Sequence, residues 1–319
     1  MPAVEPVAAS DPLDARHLGP EQVRRYVRRH GLLPERRLSQ NFLADGEVLE
    51  ALVEAARIRP GRPVLEIGPG LGILTGALLA AGARVTAVEL DPRLSAHLAE
   101  RFAGPIAAGR LRLVTGDALD QSLVELVTPP YEVVANLPYH VTSPILHWLL
   151  SGEPRPERFV LMLQREVAER IAAPPGGLSY LSVFVQYGAS VEVVRTVPAA
   201  AFEPAPEVGS AILVGETGPR RLDPAAEAEL WRLVQAGFRE RRKMLHNVLL
   251  RQLPGMERPR LAAALAEAGI APTRRPQTLA VEEWLELAAR LGPLESPGSP
   301  EQPGSPEGPG RRQTRDQPA

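Results

Sequence analysis

The sequence predicts an α/β fold, a seven-stranded and mostly parallel sheet followed by a small helical domain. Three observations carry this reading. From about Pro63, short β-rich runs alternate with helical patterns, as parallel strands joined by crossover helices do. Two later β-rich runs follow each other with no clear helix between them, so one of them should enter antiparallel. After residue 220 the strand signals stop, and three Ala-, Leu- and Glu-rich stretches with apolar spacing of three and four replace them.

Taken in order, residues 1–19 are rich in Ala, Pro and acids and are expected to be flexible. Residues 20–30 read as a short helix carrying Arg24, Arg25, Arg28 and Arg29. Strands are expected at 64–67, 84–90, 111–115, 132–135, 159–163, 191–197 and 211–214, with helices between them such as 73–81 and 92–102. Helices are expected at 224–251, 258–269 and 281–291. Residues 293–319, with repeated Pro, Gly, Ser, Glu and Gln and no aromatic residue, cannot bury a core and are expected to be disordered. The division is therefore a main domain over 20–218 and a helical domain over 219–292.

The length of 319 residues allows one large or two medium domains. The absence of cysteine excludes a disulfide scaffold, a Cys-ligated metal site and thiol catalysis. No window approaches ~18 uninterrupted apolar residues, so no membrane helix is expected. The N-terminus fits neither a signal nor a transit peptide, and the expectation is a soluble, cytoplasmic protein. His30, His140, His147 and His246 show no ligand spacing, so no metal is expected. Trp148 and Trp231 lie in helical patterns and read as core.

The first β-run leads into a glycine loop, Val-Leu-Glu-Ile-Gly-Pro-Gly-Leu-Gly at 64–72, with a helix expected from near Gly72. Gly68, Gly70 and Gly72 tolerate positive φ and let a ligand approach the backbone. The helix start beyond them offers unpaired N–H groups. Alone, the loop is weak evidence, and a tight strand-to-helix turn is the alternative. A dinucleotide loop would read G-x-G-x-x-G; here the spacing is G-x-G-x-G. The second run ends at Glu89, whose carboxylate can accept both hydroxyls of a ribose, in a dinucleotide or in S-adenosylmethionine. The third ends near Asp117, which can accept from an adenine amine or cap a helix.

The fourth run leads directly into Asn136-Leu137-Pro138-Tyr139. Asn and Pro favour turns, but each residue also has a chemical use. An exocyclic adenine amine is a poor nucleophile because its lone pair is delocalised into the ring. Asn136 Oδ1 and a backbone carbonyl near Leu137–Pro138 can accept its two N–H bonds and aim the lone pair at a methyl donor. Pro138 fixes the backbone, and Tyr139 offers a flat face on which a base stacks.

These segments, in this order, resemble the motifs of class I (Rossmann-like) methyltransferases acting on adenine N6, and more narrowly the ribosomal RNA adenine dimethyltransferases of the small subunit. Further segments resemble that family: Ser39-Gln40-Asn41-Phe42-Leu43, Leu163 to Ala168, Phe202 to Ser210, and the basic stretch Phe238-Arg239-Glu240-Arg241-Arg242-Lys243. The resemblance runs from about residue 31 to 290. It implies S-adenosylmethionine as the donor, held by Gln40, Asn41, Leu43, Gly68, Gly70, Glu89, Leu90, Asp117, Ala118 and Asn136. It implies catalysis by Asn136, Leu137, Pro138 and Tyr139, with Phe202 closing on the other face of a flipped adenine or serving as a core residue. The substrate implied is 16S rRNA within an immature 30S subunit, dimethylated on two adjacent adenosines of its 3′-terminal hairpin loop, by a monomeric enzyme. The macrolide-resistance branch acting on 23S rRNA, a non-catalytic assembly factor of the same fold, and a nicotinamide-dependent dehydrogenase are the alternatives. The sequence departs from the family at Ser39, where Gly is usual, in the short loop 172–177, and at Leu178 to Ser182.

The net charge of −2 hides unlike regions. Residues 16–37 carry a local +5 and residues 238–251 a local +4, so the remainder sums to −11. Arg24, Arg25, Arg28, Arg239, Arg241, Arg242 and Lys243 are the candidate RNA-binding residues; each basic segment is alternatively a solvated face.

Overall fold

The computed structural model describes residue 13 and residues 18–35 and 40–294. The chain opens with α1 (Pro20–His30), β1 (Phe42–Leu43), α2 (Gly46–Ala56), β2 (Pro63–Ile67) and α3 (Ile73–Ala80). It continues through β3 (Arg84–Glu89), α4 (Pro92–Arg101), α5 (Ala103–Ala107), β4 (Leu111–Thr115), α6 (Leu123–Leu126) and β5 (Glu132–Asn136). Then come α7 (Thr142–Ser151), β6 (Arg158–Gln164), α8 (Arg165–Ile171), α9 (Tyr180–Gly188), β7 (Ala189–Val197), β8 (Phe202–Glu203) and β9 (Ser210–Thr217). Four helices close the described chain: α10 (Pro224–Phe238), α11 (Leu245–Gln252), α12 (Arg258–Glu267) and α13 (Val281–Leu291).

Seven strands form one sheet in the order β4-β3-β2-β5-β6-β9-β7, and β1 pairs with β8 in a separate ribbon. All neighbours from β4 to β6 are parallel. The last strand, β9, inserts antiparallel to both β6 and β7, which realises the antiparallel entry read from the two consecutive β-runs. Alternation along the strands sorts the core onto two faces. Val64, Val134 and Val160 pack with α2, α3 and α4 on one side, and Leu65, Val133 and Leu161 with α7, α8 and α9 on the other. Burial on both faces explains why these strands read as continuous apolar runs. The edge strand β7 instead alternates partly buried and exposed positions between two buried ends.

The helical stretch 224–251 is broken. α10 stops at Phe238 and α11 starts at Leu245, with the basic residues on the turn between them. Residues 239–243 are all charged and offer no apolar face to bury. As a helix they would stack Arg239 under Arg242 and Lys243, like charges at three and four residues. The turn lets Leu245 and Leu249 fold back into the helical core with Leu233 and Trp284. This core continues into the main domain through Tyr187 of α9, whose ring meets Trp231 of α10 edge-on at 5.1 Å. Trp148 and Trp231 pack against the cores as partly buried residues.

Both expected flexible ends contribute to the described fold. Leu13 is buried in the main core. Leu294 is buried too, and its N–H donates to Glu229 Oε2 at 3.0 Å. The rest of 1–17 and of 295–319 lies outside the described residues, as does the departure at Ser39. Among the described residues no helix is long and apolar enough to cross a membrane, and no group of three or more acidic or histidine side chains is placed to hold a metal ion.

Candidate active site

Strand order reverses between β2 and β5. The chain steps outward from β2 through β3 and β4, then begins β5 on the other side of β2. Open α/β sheets bind ligands in the crevice beyond the carboxyl ends of two such strands. A cleft of about 1260 Å³, counted out to its mouth, opens there. Every residue that the sequence assigned to the donor or to catalysis lines it: Gln40, Asn41, Leu43, Gly68, Gly70, Glu89, Leu90, Asp117, Ala118, Asn136, Leu137, Pro138, Tyr139 and Phe202.

The floor is the glycine loop after β2. Gly68, Gly70 and Gly72 have φ of 68°, 60° and 78°, a region L side chains rarely adopt. A Cβ on Gly70 would also meet the Phe42 ring at 3.3 Å, so backbone alone faces the ligand space there. Glu89, at the end of β3, is 4 % exposed. Its Oε2 accepts the Gly70 N–H at 2.9 Å and its Oε1 the Asp91 N–H at 2.8 Å. Burial raises its pKa, partly offset by these hydrogen bonds. Each oxygen keeps a second lone pair for a ligand hydroxyl. Leu90 beside it is 49 % exposed, an apolar surface open to the cleft. Asp117 performs the capping role weighed in the sequence: its Oδ1 accepts the Leu119 N–H at 2.9 Å. The side chain stays exposed at the cleft rim.

The opposite wall is made by β1 and β8. Leu43 pairs with Phe202 and Phe42 with Glu203, so a segment before the sheet and one near its end meet over the glycine loop. Gln40 lines the cleft, but its side chain holds the wall in place. Its Nε2 donates to Asp91 Oδ2 at 3.2 Å and its Oε1 accepts the Glu35 N–H at 2.9 Å. Asp91 also caps α4 and binds Arg93, which draws its pKa down to about 2. Phe202 is 2 % exposed and belongs to the core, the alternative weighed for it, while its ring also lines the cleft.

At the end of β5, Asn136 Nδ2 donates to the Asn41 carbonyl at 3.3 Å. This leaves Oδ1 as the acceptor, an assignment that follows from the network. The Pro138 carbonyl accepts the Val141 N–H at 3.2 Å, while the Leu137 carbonyl receives no such bond among the described residues. Of the two carbonyls, that of Leu137 is therefore the one left open as an acceptor. Tyr139 is half-buried, and its hydroxyl lies 3.0 Å from Ser210 Oγ and 3.3 Å from the Val208 carbonyl. The Pro-rich segment before β9 thus fixes the ring.

Three residues outside that assignment also shape the cleft. Phe42 packs on the glycine loop, His140 stands exposed at the mouth, and Glu66 is buried beneath the floor. Phe42 lay between two residues that were singled out, so the signal was present. Glu66 Oε2 accepts the Thr75 hydroxyl at 2.7 Å, its Oε1 has no partner, and burial pushes its pKa up to about 8.

Comparison with known proteins decides the family. The sequence model for "Ribosomal RNA adenine dimethylase" matches residues 33–292. The chain belongs to the ribosomal RNA adenine dimethylase family. It is 42% identical over 278 residues to "Ribosomal RNA small subunit methyltransferase A" of Moorella thermoacetica, covering 83% of this chain and 95% of that protein. It is 43% identical over 277 residues to the protein so named from Paracoccus denitrificans, covering 84% and 95%. Among solved structures it is similar to the 23S rRNA methyltransferase ErmE, with TM-score 0.62, 32% identity, and 79% and 99% of the two chains covered. It is also similar to a dimethyladenosine transferase from Plasmodium falciparum, with TM-score 0.64, 26% identity, and 77% and 95% covered. The fold is that of the class I methyltransferases.

The stretch matched by the adenine dimethylase family takes in the cleft and the helical domain. The basic residues divide within it. Arg24 binds Glu203 through Nε at 3.1 Å and Nη2 at 2.9 Å, tying α1 to β8. Arg25 lies 3.8 Å from Glu21, and Arg28 is exposed. Arg239 reaches Gln252 Oε1 at 3.1 Å, whereas Arg241, Arg242 and Lys243 are exposed on the turn after α10. At Leu178 to Ser182, Ser179 and Ser182 form a capping box that starts α9.

Proposed function

We propose that this adenine dimethylase transfers methyl groups from S-adenosylmethionine to the N6 amines of two adjacent adenosines in the 3′-terminal hairpin loop of 16S rRNA. We assign it to immature small subunits in the cytoplasm, as a monomer. One observation carries the reading: the acceptor pair at Asn136 and Leu137 opens into the same cleft as the glycine floor and Glu89. The identity of 42% and 43% to small-subunit relatives, against 32% to a 23S rRNA methyltransferase, favours this substrate over 23S rRNA. Retention of Asn136–Tyr139 and Glu89 argues against a non-catalytic assembly factor, and the glycine spacing against a nicotinamide enzyme.

The donor supplies an electrophilic methyl on a sulfonium, and the side chains do the rest. Glu89 accepts ribose hydroxyls, Leu90 and Ala118 bracket the donor's adenine, and Asp117 accepts from its amine. The bare backbone at Gly68 and Gly70 gives the methionine portion close approach, bounded by Gln40, Asn41 and Leu43. The target base leaves its stack to reach the pocket. Tyr139 stacks on one face, and Phe202 bounds the other. Asn136 Oδ1 and the Leu137 carbonyl accept the two amine hydrogens, which draws the nitrogen towards tetrahedral geometry with its lone pair aimed at the methyl. The amine needs no general base beforehand, because its proton becomes acidic once nitrogen is alkylated. The rate gain is mainly one of proximity and orientation.

Mass spectrometry of 16S rRNA after incubation of immature subunits with labelled donor tests this. A dimethyladenosine pair in the 3′ hairpin is the expected result. Asn136→Ala should retain donor binding and lose most methyl transfer; near-normal turnover would refute its role.

A further inference from the structure

A second cleft adjoins the first. Tyr139 and His140 line both, so the two clefts share a rim. The second, about 880 Å³ counted out to its mouth, lies between α7, α8 and α9 on one side and Phe238 and Arg241 of the helical domain on the other. Its walls carry two arginines, Arg170 and Arg241. Arg241 is exposed and makes no ion pair among the described residues. Among the described residues Arg170 pairs only with Glu166, an exposed neighbour one turn away; such a surface pair is weak. Thr142, on the same wall, is 3 % exposed, and its Oγ1 has no hydrogen-bond partner. A buried hydroxyl left unpaired is costly in the isolated protein. Tyr180 adds a partly exposed ring.

We propose that this second cleft is a subsite for the nucleotide next to the target adenosine. Arg170 and Arg241 hold its phosphodiester, and Thr142 bonds its sugar or base edge. The inference rests on the RNA-modifying reading above and adds to it. An RNA strand whose flipped base enters at Tyr139 must continue past that ring. The adjoining opening there is walled by cations, which match phosphate, and by an aromatic ring and hydroxyls, which match a base and a ribose. Because the two target adenosines adjoin, the second of them can wait here while the first reacts.

The test uses the full chain and immature small subunits, measuring KM for the particle and the salt dependence of binding. Wild-type protein that methylates no RNA would defeat the underlying reading, independently of the subsite. Given wild-type activity, Arg170→Gln should raise KM about tenfold and flatten the slope of log affinity against log salt by about 0.7, the loss of one single-strand phosphate contact. Arg170→Lys should restore most of that slope. Glu166→Gln, which releases Arg170 from its neighbour, should lower KM. Thr142→Val should raise KM several-fold with the slope unchanged. Donor affinity should be retained in all four. An unchanged KM and slope in Arg170→Gln would overturn the proposal. So would a raised KM with an unchanged slope, which would mark a protein contact or a packing defect.

Discussion

Glu66→Gln gives a quantitative test of the cleft floor. Glu66 is 1 % exposed, one oxygen accepts from Thr75, the other has no partner, and burial raises its pKa from 4.5 to about 8. The folded protein therefore holds a proton that the unfolded chain releases above about pH 4.5. Stability from this group is greatest below the unfolded value and falls as pH rises towards the folded one. One proton corresponds to about 1.4 kcal/mol per pH unit, with a ceiling of roughly 5 kcal/mol over the interval. Glutamine keeps the acceptor for Thr75 and cannot ionise. Glu89 is also raised and acts in the same direction, so the informative quantity is the difference between the two proteins. Urea unfolding at about pH 5.5, 6.5 and 7.5 should show Glu66→Gln gaining on wild type by about 1.4 kcal/mol per unit. A difference that stays constant with pH would refute this, because Glu66 would then be ionised in the folded protein.

Gly72→Ala places a Cβ 2.5 Å from Phe102 Cε2 and 2.6 Å from Leu98 Cδ2 at a φ of +78°; overpacking should cost about 1–3 kcal/mol, read by thermal unfolding, and donor affinity should fall in calorimetry. Tyr139→Phe removes the tie to Ser210 and Val208, so it should destabilise by about 1 kcal/mol and slow methyl transfer more than it weakens donor binding. Substituting Arg241, Arg242 and Lys243 together by Gln should flatten the salt dependence of RNA binding by about 2–3 in slope. Arg24→Gln should leave that slope unchanged, because its charge is engaged by Glu203.

The parallel sheet was legible because strands buried on both faces leave short apolar runs bounded by turn residues, and because the helices between them keep their own period. The cleft was legible for a related reason: its parts lie at strand ends, with Glu89 and Asn136 the last residues of their strands and Gly68 and Asp117 one and two residues beyond theirs. What escaped was long-range. Nothing local to Arg24 shows that Glu203, 179 residues on, will take its charge. Nothing local to Tyr139 points to Ser210. The break between α10 and α11 escaped because apolar spacing resumes after the charged run, so a periodic reading bridges it. The burial of Glu66 was not legible either, because it depends on the sheet closing over it.

The ribbon of β1 and β8 has a consequence for biosynthesis. Leu43 finds its partner in Phe202, so the first part of the cleft wall to leave the ribosome has nothing to pair with until roughly 160 more residues are made. At about 5–20 residues per second that delay is ~8–32 s. Over that time the glycine floor can form with β2 and β3, since its contacts are nearby in sequence, while β1 waits for its partner strand. The cleft is thus completed from the floor upward, and the wall that closes it comes last.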